Sequence, residues 1–260
     1  MNKRKQNYIH KLQRIGEINY NKYGSKMTII EYTNYANITV EFSNKYRVNT
    51  NYNAFKNGEI KSPYDKSAFG IGFIGEGKYS CTINGNTCTK NFIVWNQMLE
   101  RCYYVKFQKI QPTYIGCTVC EEWHNFQNFA KWYDNNYYEI EGQKMALDKD
   151  ILIKGNKVYS PDTCVFVPHD INALFTKRQN DRGEYPIGVS YHIHRNKFQV
   201  SCNYKGKSIY LGLHNDITIA FNVYKNYKEK IIKSIADEYK NKIPQRLFNA
   251  LYNYKVDITD

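Results

Sequence analysis

The chain has 260 residues, with 37 Lys and Arg against 24 Asp and Glu, a net charge of +13, 42% hydrophobic and 16% aromatic residues. That apolar content excludes a disordered chain. No run approaches the roughly 20 apolar residues of a membrane-spanning helix, and the basic start, Met1 to Ile15, lacks the apolar stretch of a secretory signal. The expectation is an intracellular protein without a membrane partner, built as one large domain or two to three small ones. A basic surface of this size attracts polyanions, of which nucleic acid is the commonest inside a cell.

The 25 tyrosines accompany abundant Asn, Lys and Ile, as an AT-rich genome would produce, so many need not be stacking platforms. Seven cysteines (Cys81, Cys88, Cys102, Cys117, Cys120, Cys164, Cys202) make an odd count, which argues for reduced thiols. Cys117 and Cys120 have metal-ligand spacing, and Cys102 and Cys164 are the candidates to complete a site. With no second CxxC and no HxxxH, the expectation is small buried residues and not zinc.

Along the chain, residues 1–90 read as a small β module. Met27 to Tyr32 and Ile38 to Phe42 alternate as strands do. Asn57-Gly58, Gly70-Ile-Gly72 and Gly75-Glu-Gly77 punctuate turns, and Asn84-Gly85 centres a hairpin. The basic start, Lys3-Arg4-Lys5 with Lys11 and Arg14, reads first as a solvated end, with an arm that tracks phosphates as the alternative. Residues 91–180 change period. Phe92, Trp95, Met98, Leu99 and Cys102 mark one helix, and Trp123, Phe126, Phe129, Ala130 and Trp132/Tyr133 a second over about 121–135. Met145 to Ile153 gives a strand interrupted by charges, Lys154 to Lys157 a turn, Val158 to Pro168 a strand-like stretch, and Ile171 to Phe175 a helix. Residues 181–260 read βββα. Gly188 to His194, Lys197 to Tyr204 and Lys207 to Gly212 are the strands, a helix begins near Thr218, and Pro244 precedes a short last helix at Leu247 to Tyr254. The fold class is α+β: an N-terminal β module, a central ββα core with flanking helices, and a C-terminal three-stranded sheet on a helix.

A ββα unit with an acidic residue closing its first strand and a polar residue on its helix is a frame for one divalent metal. Here those positions hold Leu147-Asp148-Lys149-Asp150, Tyr159-Ser-Pro-Asp-Thr-Cys164 and Asn172. Together with Gly155-Asn156, Val165-Phe-Val-Pro168, Trp95-Asn-Gln-Met-Leu-Glu-Arg-Cys-Tyr103 and Val119-Cys-Glu-Glu-Trp-His-Asn-Phe126, this stretch, about 95–176, resembles the HNH homing-endonuclease-like proteins of bacteriophages. The resemblance implies Mg²⁺- or Mn²⁺-dependent phosphodiester hydrolysis in the cytoplasm of a phage-infected or lysogenic host. Asp148 and Asn172 match the metal-holding positions, and Asp150 is a further candidate ligand. Two positions depart from the pattern. Lys149 stands where the general-base His is expected and is instead assigned to a phosphate, and Thr163 stands where an Asn ligand is expected. A Lys with an ordinary pKa near 10.4 is a poor base at pH 7; His124 and His169 are the candidate bases from elsewhere, each read first as a surface or structural histidine.

Gly188-Val-Ser190, Lys197-Phe198, Leu211-Gly-Leu-His-Asn215 and Ile219-Ala-Phe221, over about 186–240, resemble the APETALA-type (ethylene-response-factor) DNA-binding domain. That fold lays a three-stranded sheet in the major groove of double-stranded DNA. One face of this sheet is expected to carry Tyr191 or His192 with His194, Arg195, Lys197, Gln199, Ser201, Asn203, Lys205 and Lys207 as donors to bases and phosphates. Phe198, Val200 and Cys202 are expected to face the helix. Residues 177–260 hold 15 Lys and Arg against 8 Asp and Glu, about half the net charge. The expected function is a site-specific endonuclease. The alternative is a non-catalytic DNA-binding regulator on the same frame, and a third reading, RNA binding by the Tyr-rich start, matches no RNA-module signature.

Overall fold

The computed structural model describes residues 13–175 and 184–260. Lys3, Arg4, Lys5 and Lys11 lie outside the described residues. The chain has both helices and strands, α+β, and divides into two compact units, the first ending at Asn135 and the second running Asn136–Asp260. The division falls inside the 91–180 segment.

The first unit opens with a four-stranded antiparallel sheet, β1 (Ile18–Tyr20), β2 (Lys26–Asn34), β3 (Asn37–Phe42) and β4 (Arg47–Thr50), in sequence order. The alternation read from the sequence is its cause: Met27, Ile29, Ile38, Val40 and Phe42 share one buried face, covered by Tyr52 and Phe55 of α1 (Tyr52–Lys56). Asn51 caps that helix, its side chain accepting from the Ala54 N–H at 2.9 Å. A two-stranded hairpin follows, β5 (Thr82–Ile83) and β6 (Thr87–Cys88), turning at Asn84-Gly85.

Two helices complete the unit, α2 (Lys90–Tyr103) and α4 (Phe126–Asn136), with a six-residue helix α3 (Val105–Ile110) between them. The second predicted helix starts later than expected, because Glu121–His124 forms a 3-10 turn first. Trp95, Met98 and Leu99 from α2 are fully buried, as are Trp123, Phe126 and Phe129. The Trp95 indole N–H donates to the Trp123 carbonyl at 2.7 Å. The glycine-rich loop before the hairpin docks here too. Phe73 exchanges backbone bonds with His124 and Phe126, and the buried Gln127 amide clamps Ile74 and Tyr79.

In the second unit, β7 (Met145–Asp148) pairs antiparallel with β8 (Val165–Pro168), Asp148 opposite Val165. A short helical turn, α5 (His169–Asn172), continues as 3-10 through Phe175 and packs on both strands. Then come β9 (Val189–His192), β10 (Lys197–Tyr204) and β11 (Lys207–His214), an antiparallel sheet in sequence order, covered by the 23-residue α6 (Ile217–Tyr239), with α7 (Gln245–Tyr252) packed on α6. Asp216 caps α6 through the Ile219 N–H at 2.9 Å. Ile151, Val165, Val167 and Ile171 of the hairpin region lie in one core with Val200, Cys202, Phe221, Ile232 and Leu247. The strand–strand–helix stretch and the βββα stretch therefore share a hydrophobic core and hold each other in place. No helix among the described residues is long and apolar enough to cross a membrane.

Candidate functional site

Two sets of residues in the second unit carry chemistry: the turn that follows Asp148 and the open face of the β9–β10–β11 sheet.

Asp148 is half-buried at the end of β7. Its Oδ1 accepts the N–H groups of Asp150 at 2.9 Å and Ile151 at 2.7 Å, which folds the chain back beneath it. Burial, followed by the charge of Asp150, pushes its carboxyl up to about 6. Lys149 turns inward and is only 7% exposed. Its Nζ lies 3.2 Å from Asp150 Oδ2 and 5.8 Å from the centre of the Tyr159 ring. Asn156 staples the turn, its Nδ2 donating to the carbonyls of Lys149 and Val158, both at 2.7 Å.

The remaining predicted members are placed as follows. Thr163 spends its hydroxyl on the Val158 carbonyl at 2.7 Å and lies 2.9 Å from Ser160 Oγ, so its first role is to close the Ser160–Thr163 turn. Asn172 is half-buried on α5, one residue past the fully buried Ile171 that fixes the helical turn against the hairpin. His169 is exposed at the start of α5, with Nδ1 3.9 Å from Asp170. His124, in the other unit, places Nε2 3.1 Å from the Val119 carbonyl. Among the described residues, no group of three or more His, Cys, Asp or Glu side chains is arranged to hold a metal ion. Cys102, Cys117 and Cys164 are buried and Cys120 half-buried, and none of the seven cysteines forms a disulfide.

On the sheet, the register sorts the side chains into two rows. Val189, Phe198, Val200 and Cys202 face α6. The opposite row runs His192–Lys197 and Ser190–Gln199 across β9 and β10, then Ser201–Tyr210 and Asn203–Ser208 across β10 and β11. His192, Lys197, Gln199, Ser201 and Asn203 therefore share the outward face, and Tyr191, opposite Phe198, belongs to the α6 side. His194 and Arg195 sit in the 3-10 turn Ile193–Arg195 at one end of that face. Lys205 and Lys207 depart from the expected row. Lys207 pairs with Tyr204 on the α6 side, and Lys205, in the turn, puts Nζ 4.0 Å from Glu238 of α6. Ser190, Ser208 and the 59%-exposed Tyr210 join the face instead. The cause is the two-residue turn Lys205-Gly206, which pairs Lys207 with Tyr204 and so puts Ser208 and Tyr210 opposite Asn203 and Ser201; the bulge between Val200 and Ser201 lies beyond Tyr210. From Tyr185 through Asn215 the sequence holds no Asp or Glu, against Arg195, Lys197, Lys205, Lys207 and three histidines.

Compared with protein-family models, with curated proteins and with solved structures, the chain matches none of them.

Proposed function

We propose that this chain binds duplex DNA through the outward face of the β9–β10–β11 sheet and acts as an HNH-type homing endonuclease of phage origin, in the cytoplasm of the bacterial host. The observation that carries the reading is that face. It is a row of side-chain donors and acceptors (His192, Lys197, Gln199, Ser201, Asn203), bordered by His194 and Arg195 and lacking any carboxylate over 31 residues of sequence. A narrow sheet of this kind fits a major groove about 12 Å wide, where amides and hydroxyls read base edges and cations meet phosphates.

The Asp148 turn supports the hydrolytic half. Mg²⁺ is held by one or two carboxylates, with water and substrate phosphate completing its shell. Asp148 and Asp150 fit that demand, because a divalent cation favours the charged carboxylate that burial, and after it the neighbouring charge of Asp150, disfavours at Asp148. Asn172 would add an amide oxygen. The metal, when bound, supplies Lewis acidity at the scissile phosphate. The chain's own contribution is to hold the two carboxylates on a turn fixed by Asn156, with Lys149 beneath Asp150.

The second reading, a non-catalytic DNA-binding regulator, is favoured by one feature: Lys149 is buried against Asp150 and so is withdrawn from both a phosphate and a proton-transfer role. Fluorescence anisotropy on labelled genomic duplexes, with a cleavage assay in Mg²⁺ and in Mn²⁺, separates the readings. Reversing Arg195 and Lys197 to Glu should weaken binding and lower the slope of log K against log salt by about 2. Unchanged binding defeats the sheet assignment. Cleavage lost in Asp148→Ala supports the nuclease, and tight binding without cleavage in either metal supports the regulator.

A further inference from the structure

The excursion between α2 and α4 in the first unit is ordered yet contributes nothing to a core. From Tyr104 to Gly116 no residue is buried. The segment is nevertheless held in one shape. The Gln108 side chain donates to the Cys102 carbonyl at 2.7 Å, locking α3 onto the end of α2, and the Arg101 guanidinium lies 5.6 Å from the Tyr114 ring, which packs on Phe107. What it presents outward is apolar: Val105 is 63% exposed, Ile110 76% and Ile115 60%. A structured arm that leaves three large aliphatic side chains in water points to a partner that covers them. Lys106 and Lys109 are interleaved with them, and from Arg101 to Cys120 there is no Asp or Glu.

We infer that this arm is a second DNA-contacting element, with Lys106 and Lys109 on phosphates and Val105 and Ile110 pressed into the minor groove. Cations beside apolar wedges are the combination that minor-groove binders use, the wedge opening base steps and bending the duplex. The charge selects the partner: a neutral protein surface would take the aliphatic residues without needing the cations, and an anionic duplex uses both. The inference rests on the DNA-binding reading and adds a contact in the unit that the sheet does not belong to.

The test compares four full-length proteins on one end-labelled duplex by anisotropy salt titration, with bending read by energy transfer between the ends. Circular dichroism melts confirm that each variant is folded. Lys106→Glu with Lys109→Glu should lower the salt slope by about 2. Val105→Ser with Ile110→Ser should weaken binding roughly fivefold or more, leave the slope unchanged, and reduce the bend. If Arg195→Glu with Lys197→Glu weakens binding but both arm variants behave as wild type, the arm inference is overturned and the sheet reading stands. If the wild type binds no duplex even at low salt, the DNA-binding reading falls and takes the arm with it. If sedimentation shows a wild-type dimer that Val105→Ser with Ile110→Ser dissociates, the patch is covered by a second copy and the arm is not a DNA contact.

Discussion

Replacing Asp148 with Asn isolates the electrostatic cost of the Asp148 turn. The amide keeps the Oδ1 acceptor, and with it both N–H bonds from Asp150 and Ile151, but removes the charge. In the wild type the carboxyl rises from the ordinary 3.8 to about 6. The folded-state value lies above the unfolded one, so the group's stabilising contribution is complete below pH 4 and is lost as the pH rises through about 6. The span is about 3 kcal/mol, or roughly a hundredfold in the opening equilibrium. Amide hydrogen exchange along the β7–β8 ladder, compared between the two proteins at each pH, reads it directly. Protection should be equal near pH 4, and at pH 7 the Asn variant should be about a hundredfold better protected. Adding Mg²⁺ at pH 7 should narrow the gap by protecting only the wild type. A gap that does not change between pH 4 and pH 7 would refute the account of a carboxylate held at a cost.

Three further substitutions test the frame around the candidate sites. Gly188 has φ +77°, and a Cβ there would lie 2.0 Å from the ring of the buried Tyr224. Gly188→Ala should therefore cost about 1–3 kcal/mol from overpacking and further strain, seen as a lower thermal midpoint. Asp216→Ala removes the N-cap of α6 and should cost about 1 kcal/mol in urea unfolding, while Asp216→Asn should be close to neutral. Phe166→Ala empties a fully buried position on β8 beside the Tyr137 ring and should cost about 3–5 kcal/mol, with faster exchange along β7 and β8.

Much of the architecture was legible because it depends on local pattern. The alternation of Met27, Ile29, Ile38 and Val40 placed a sheet, and the spacing of Trp95, Met98 and Leu99 placed a helix. Asn84-Gly85 placed a hairpin, and the βββα order of the last segment followed from turns at Arg195-Asn196 and Lys205-Gly206. Element starts were less certain. The 3-10 turn at Glu121–His124 delays α4 because Trp123 and the Phe73 loop fix the backbone there, a tertiary constraint that no periodicity records. For the candidate site, Asp148 and Asp150 were visible as carboxylates at a strand end. The stapling role of Asn156 was signalled only by its place in a turn.

The sequence by itself determined the sign of the surface, the fold class and the set of residues available for chemistry. Charge, side-chain period and turn propensity are properties of neighbours in the chain. The tertiary structure alone decided how that set is arranged. The register set at the Lys205-Gly206 turn pairs Lys207 with Tyr204, on the side that faces α6, and so took Lys207 out of the outward row and brought in Tyr210. The packing of Lys149 beneath Asp150 turned a residue expected at a phosphate into a buried partner. Both outcomes depend on which side of a strand or turn a side chain faces. That choice is made by burial against residues far away in the sequence.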